Sequence, residues 1–158
     1  MPEGYYKYID VLKYVHEILI YHRDYIPLAD ENKYFISRGF NKEFIESEGL
    51  VYCRPYYTKP DNTVYNWRDV ILNHFPDLDS AILDSYGLYN KYGELVFSDR
   101  YLFPIKDSLG NIVGFSGRSL DPEKPKYYNT KDNSFFKKGQ LLYNYYSIKN
   151  LSKDKPIY

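Results

Sequence analysis

Apolar residues recur at helical spacing from Tyr6 to Tyr25, with Ile9, Leu12, Val15 or His16, and Leu19 on one stripe. Pro27 stops the pattern. A second helix is predicted over Asp30 to Arg38, ended by Gly39, and a third over Lys42 to Glu48, capped by Asn41 and terminated by Gly49. Leu50-Val-Tyr-Cys53 is apolar and β-prone and predicts one edge strand. Arg54 to Asn62, which carries Pro55 and Pro60, predicts a loop. The helical period returns from Val64, where Trp67, Val70, Ile71 and Phe75 share a face until Pro76 breaks it. Asp77 is the predicted cap of a further helix carrying Leu78, Ala81, Ile82 and Leu83, closed by Gly87. Leu88-Tyr-Asn and Glu94-Leu-Val-Phe97 then flank Lys91-Tyr-Gly93 as a small hairpin.

Beyond Arg100 the signal changes from helical period to short β-prone runs. Tyr101-Leu-Phe-Pro-Ile105 and Ile112-Val-Gly-Phe115 are rich in β-branched and aromatic residues, and Lys106-Asp-Ser-Leu-Gly-Asn111 between them holds turn formers, with Gly110 free to take positive φ. A hairpin follows from that pattern. Gly114, Gly117 and Arg118 close its second strand, and Pro125-Lys-Tyr-Tyr-Asn-Thr130 is a polar extended segment. Phe135-Phe-Lys-Lys-Gly139 leads into Leu141-Leu-Tyr143, and a last short helix is predicted over Tyr145 to Asn150. The expected class is α+β: an N-terminal helical lobe followed by a small antiparallel sheet with short helices. One domain, residues 1–158, is expected, divided into a helical lobe (1–50), a mixed helix and loop region (51–99) and a sheet with a basic and aromatic groove (100–150).

Composition narrows the function classes. With 44% hydrophobic and 27% charged residues the chain is globular in type. Its 21 basic and 21 acidic side chains cancel, so indiscriminate nucleic-acid affinity is not expected and any such affinity must come from a local patch. Cys53 is the single cysteine, which excludes an internal disulfide and a cysteine-rich zinc site and predicts a small buried hydrophobe. No apolar run approaches the roughly 18 residues of a membrane helix and no signal peptide is visible, so no membrane partner is expected and a cytoplasmic location is the default. The 21 tyrosines have apolar bodies and hydroxyls that stay wet. Most are assigned to packing, with Tyr127 the exception.

One constellation carries chemistry. Arg118, Lys126, Lys137 and Lys138 are interleaved with Tyr127, Tyr128 and Asn129, and cations that hold phosphates beside flat rings that stack on bases are what single-stranded nucleic acid requires. Pro125 biases the approach of Lys126 and Tyr127 towards an extended chain. Asn129 offers donor and acceptor to a sugar or base edge, and Gly117 permits close backbone approach beside the planar fork of Arg118. Bland alternatives stand beside these: Arg118 pairing with Asp121 or Glu123, and Lys137 with Lys138 as a solvated face. His16, His22 and His74 share no metal-ligand spacing, and Asp77, Asp79 and Asp84 suit helix caps and surface acids, so no catalytic set assembles.

Four pieces in order, Arg100-x-x-Phe103-Pro-Ile105, Gly114-Phe-x-Gly-Arg118, Pro125-Lys-Tyr-x-Asn129 and Phe136-x-Lys-Gly139 with Leu142-Tyr143, resemble the N-terminal subdomain of the catalytic core of bacterial (DnaG-type) DNA primases. Tyr34-Phe-Ile-Ser-Arg-Gly-Phe40 is similar, more weakly, to that family's small helical entry segment, and Gln140 departs from it where many relatives carry a base. The resemblance implies that Arg38, Arg100, Arg118, Lys126, Tyr127, Asn129 and Lys138 line a groove for nucleic acid. It implies single-stranded DNA template and RNA primer as partners, together with the rest of a primase, and a replicative helicase as a further one. No cofactor is expected in this chain, since Mg²⁺ or Mn²⁺ would come with a Toprim subdomain whose first strand Pro156-Ile157-Tyr158 resembles at its opening (residues 155–158). The chain therefore reads as one subdomain of a primase, of phage or mobile-element type, inactive on its own and lacking the family's zinc-binding domain. The alternatives are a standalone single-strand-binding or replication-accessory module and a protein-interaction domain whose tyrosines meet a partner.

Overall fold

The computed structural model describes residues 3–28 and 31–130 of the chain. Helix α1 (Glu3–Tyr25) buries Tyr8, Val11, Leu12, Val15, Ile18 and Leu19 together with His16 and His22. Ile9 is half-buried, so it lies at the rim of the stripe and Tyr8 with Val11 takes the centre. The helix closes as the Ile26 amide reaches the His22 carbonyl, one residue before Pro27. Helices α2 (Glu31–Ser37) and α3 (Lys42–Glu48) follow. Asn41 caps α3 by accepting from the Phe44 amide at 2.8 Å, and Gly49 ends it at φ 68°. Two buried charged groups tie these helices to the rest. Arg23 donates to the carbonyls of Ile45 and Leu50, and the Glu31 carboxylate accepts the amides of Leu28 and Tyr52.

The segment after β1 (Val51–Cys53) departs from the predicted loop. It forms a hairpin of β2 (Tyr57–Thr58) and β3 (Val64–Tyr65), in which Tyr57 faces Tyr65. The Asn62 amide closes on the Lys59 carbonyl with Pro60 at the second turn position, so a residue that breaks strands here makes the turn joining them. Helix α4 (Trp67–His74) consequently begins three residues later than Val64, capped by Asn66. Helix α5 (Ser80–Ser85) is capped by Asp79 and not by the predicted Asp77. The Leu78 amide still belongs to the preceding turn, bonded to Phe75, and Asp79 Oδ1 is the acceptor that reaches the Ala81 amide at 2.7 Å. The expected small hairpin after Gly87 is reduced to a single bridge between Tyr89 and Leu95.

Strands β4 (Arg100–Lys106), β5 (Ile112–Arg118) and β6 (Tyr127–Asn129) join β1 in an antiparallel sheet of order β1-β4-β5-β6. The β4–β5 turn is held by Asp107 Oδ1, which accepts the amides of Leu109 and Asn111, with Gly110 at φ 86°. One sheet face, carrying Val51, Leu102 and Phe115, packs with α1 in the main core. The other buries Tyr101 and Phe103 beneath Phe35, Ile45 and Leu50. Cys53 is fully buried on the edge strand, and burial, then the Asp99 charge, pushes its thiol up. Mixed α+β architecture with helices first and a small antiparallel sheet after them is thus what the chain adopts. No helix among the described residues is long and apolar enough to cross a membrane. Phe135–Gly139, Leu141–Tyr143, the helix predicted at Tyr145–Asn150, and Pro156–Tyr158 lie outside the described residues, as does Asp30.

Candidate nucleic-acid interface

Side chains alternate along a strand and partners in register share a face. Register pairs Tyr52 with Tyr101, Tyr101 with Arg118, and Arg118 with Tyr127, so one row crosses the whole sheet. The next row runs from Phe103 through Ser116 to Asn129. Helix α2 rests on the β4 end of these rows: Tyr34 stacks on Tyr101 at 4.1 Å, and Phe35 meets Tyr101 and Phe103 edge-on. At the β5–β6 end Asn129 is exposed while Arg118 and Tyr127 keep part of their surface in solvent. There the Arg118 guanidinium lies 5.3 Å from the centre of the Tyr127 ring and Lys126 Nζ lies 5.8 Å from it.

Arg100 does not stand with them. It is only 5% exposed, and its Nη1 donates to the Pro125 carbonyl at 2.8 Å and to Gly117 at 3.4 Å. Its guanidinium also lies 5.7 Å from the Tyr128 ring. Gly117 makes this possible, because a Cβ there would sit 2.9 Å from Arg100 Cδ and 3.1 Å from Leu102 Cδ2. Arg100 is therefore a buried fastener that holds the chain entering β6 against β5, and so sets Lys126 and Tyr127 in position. Thr130 does the same at the strand's other end. Its hydroxyl accepts from the Phe115 amide at 2.7 Å and fills the space left by Gly114.

Neither alternative acid takes Arg118: among the described residues Asp121 and Glu123 form no ion pair with it. Asp121 instead accepts from the Glu123 amide within its own turn. Arg38 is exposed in the turn just past α2, its amide bonded to the Tyr34 carbonyl, beside the helix that covers this same sheet face. Lys137 and Lys138 lie outside the described residues. The row through Tyr34 and Tyr101, which extends the Arg118–Tyr127 pair under α2, was not anticipated. The alternation of Tyr101 and Phe103 along β4 was its only sequence signal.

Burial, then the Asp99 charge, raises the Tyr52 phenol at the edge of this sheet, and two histidines and one carboxyl are shifted in the core. Burial, reinforced by the Arg54 charge, lowers His22 to about 4, and burial lowers His16 and raises Glu31. Among the described residues no three His, Cys, Asp or Glu side chains come together to hold a metal. The donor set of the described residues does not fit a divalent cation.

Residues 21–149 match the family model described as the DNA primase catalytic core, N-terminal domain. A DNA primase of Halalkalibacterium halodurans is 32% identical over 141 residues, covering 87% of this chain and 22% of that protein. A DNA primase of Deinococcus radiodurans is 60% identical over 47 residues, 30% of this chain and 8% of that protein. Among solved structures, a DnaG primase catalytic domain bound to ssDNA superposes with a TM-score of 0.66 at 23% identity, covering 92% of this chain and 46% of that one. A DNA primase domain from Pseudomonas aeruginosa gives 0.61 at 27% identity, with 93% and 45% covered. The chain spans about a fifth of the length of the first of these relatives, 22%.

Proposed function

The chain belongs to the DNA primase catalytic-core N-terminal domain family, and on that premise we propose that the β5–β6 half of its sheet holds single-stranded template and growing primer during primer synthesis. The observation that carries this reading is the Tyr127 ring with two cations against it, Arg118 at 5.3 Å and Lys126 at 5.8 Å, beside an exposed Asn129. A base stacks on such a ring while guanidinium and ammonium meet the phosphates on either side of it. Asn129 then offers its amide to a sugar or base edge. The likeness to a DnaG catalytic domain solved with ssDNA supports the same reading. In this reading Arg38 extends the basic track beneath α2, and Lys138 is assigned to it from the sequence alone. Nucleotidyl transfer needs converging carboxylates to hold Mg²⁺ or Mn²⁺. In this reading a Toprim part of the primase supplies them, and a replicative helicase is a further partner.

Fluorescence anisotropy with a labelled oligonucleotide across a salt series tests the assignment. Binding by the neutral chain is expected to be micromolar or weaker and to fall as salt rises. Lys126→Ala and Arg118→Ala each weaken it and reduce the salt slope by about 0.7 per lost phosphate contact. Tyr127→Ala costs about 1–3 kcal/mol with an unchanged slope, because stacking releases no counterions. Lys13→Ala, exposed on α1, leaves binding as it was. Equal losses from Lys13 and Lys126 would mean diffuse attraction and would overturn the groove.

A further inference from the structure

A second ring-lined recess lies between α1, the β2–β3 hairpin and α4, and none of its lining residues belongs to the four-stranded sheet. It encloses about 370 Å³, within the size of pockets that take small ligands. One wall is Tyr14 stacked flat on His74, with ring centres 3.7 Å apart and planes 8° from parallel. Tyr57 and Tyr65, whose rings lie 6.0 Å apart across the hairpin, also line it. Tyr65 is 41% exposed, and Lys59 Nζ stands 5.2 Å from the centre of its ring. Asn73, exposed on α4, brings an amide to the same opening.

The arrangement is more than leftover packing. A hairpin of two-residue strands, one half-buried and one exposed, gains little by keeping a large aromatic ring in water. Here that ring lines the same opening as a stacked pair, with a cation beside it. The Asp61 carboxylate in the hairpin turn accepts the Thr63 amide at 2.9 Å. Burial, then Tyr57 and Glu17, holds the Tyr14 phenol above its usual value, so that ring stays uncharged near neutrality.

We propose that this recess binds a nucleoside phosphate, its base between the Tyr65 and Tyr14–His74 walls and its phosphate on Lys59. The same chemistry is offered by a free nucleotide and by one nucleotide of a single strand, and the proposal does not depend on the sheet interface. Flat walls select a flat base, Asn73 supplies donor and acceptor to its edge, and the lone lysine favours a single phosphate.

Amide NMR titrations of the full 158-residue chain with adenosine monophosphate, adenosine and oligo-dA test it. Adenosine monophosphate should give saturable shifts at Thr58, Lys59, Tyr65, Val70 and Asn73, and bind more tightly than adenosine. Lys59→Ala should abolish that difference between the two. Tyr65→Ala should weaken adenosine monophosphate about ten-fold or more and Tyr65→Phe should not. The Thr58 amide, bonded to His22, reports whether the hairpin stays docked in each variant. Matching oligo-dA shifts at these residues would identify a strand nucleotide as the occupant, and their absence a free one. No saturable shift with adenosine monophosphate, or affinity untouched by both Lys59→Ala and Tyr65→Ala, overturns the proposal. Arg118→Ala and Tyr127→Ala, which test the sheet, should leave these shifts unchanged, so the two readings fail separately.

Discussion

His22 couples the fold to pH through one hydrogen bond. Its Nε2 accepts the Thr58 amide at 3.1 Å, so the neutral ring carries its proton on Nδ1, which is buried and finds no partner among the described residues. Burial and the nearby Arg54 lower its pKa from 6.5 to about 4. The unfolded chain therefore binds the extra proton first. The stabilisation is complete above 6.5 and is lost as pH falls from there towards 4. His16, lowered by burial, acts in the same direction, whereas Glu31, raised by burial, gives back some stability as it protonates. Thermal melts from pH 7 down to about 4 should show a loss on the order of 2 kcal/mol that His22→Gln flattens; parallel pH profiles for both proteins would rule the mechanism out. A second residue-scale test lies at Gly117, whose missing side chain accommodates Arg100. Gly117→Ala should cost about 1–3 kcal/mol by crowding Arg100 off its two carbonyls, and should weaken DNA binding although it alters no surface cation.

At the scale of elements, two glycines separate backbone conformation from packing. Gly110 turns the β4–β5 hairpin at φ 86° with open space where a Cβ would stand. Gly110→Ala should therefore cost only the left-handed conformation, about 1–2 kcal/mol. Gly49 ends α3 at φ 68°, but its Cβ would sit 2.4 Å from His16 Cε1, on a ring whose Nε2 lies 2.8 Å from the Gly49 carbonyl. Gly49→Ala should cost clearly more, because the clash displaces α3 from α1. Denaturant midpoints at constant m-value measure both, and equal losses would remove the His16 contact from the account. Elements with local causes were legible in the chain. Asn41 and Gly49 bound α3 at the predicted residues, and Asp107 with Gly110 made the predicted hairpin. The cap of α5 moved from Asp77 to Asp79, because the preceding turn takes the Leu78 amide, which no list of capping residues reveals. The β2–β3 hairpin stands where the prolines predict a loop, because Pro60 occupies a turn position that favours proline.

For the whole molecule, zero net charge means that any grip on nucleic acid depends on where a few cations sit. The same holds for catalysis. Supplied alone, the 158-residue chain should incorporate no ribonucleotide on a single-stranded template with either Mg²⁺ or Mn²⁺, since its described residues gather no metal-holding set. Template-dependent incorporation by the purified chain would refute this. The limits of α3, the helical N-terminal lobe and the β4–β5 hairpin follow from the sequence alone, because each rests on neighbours a few residues apart. Arg100 and Arg118 could not be told apart that way. Both are arginines in the same β-prone region, and what divides them is that one enters the space above Gly117 while the other shares a row with Tyr127. The recess of Tyr14, Lys59, Tyr65 and His74 likewise draws on three elements up to 60 residues apart in the chain. Tertiary structure decided these points because a side chain's environment is set by what packs against its face, and the chain brings those groups together only when it folds.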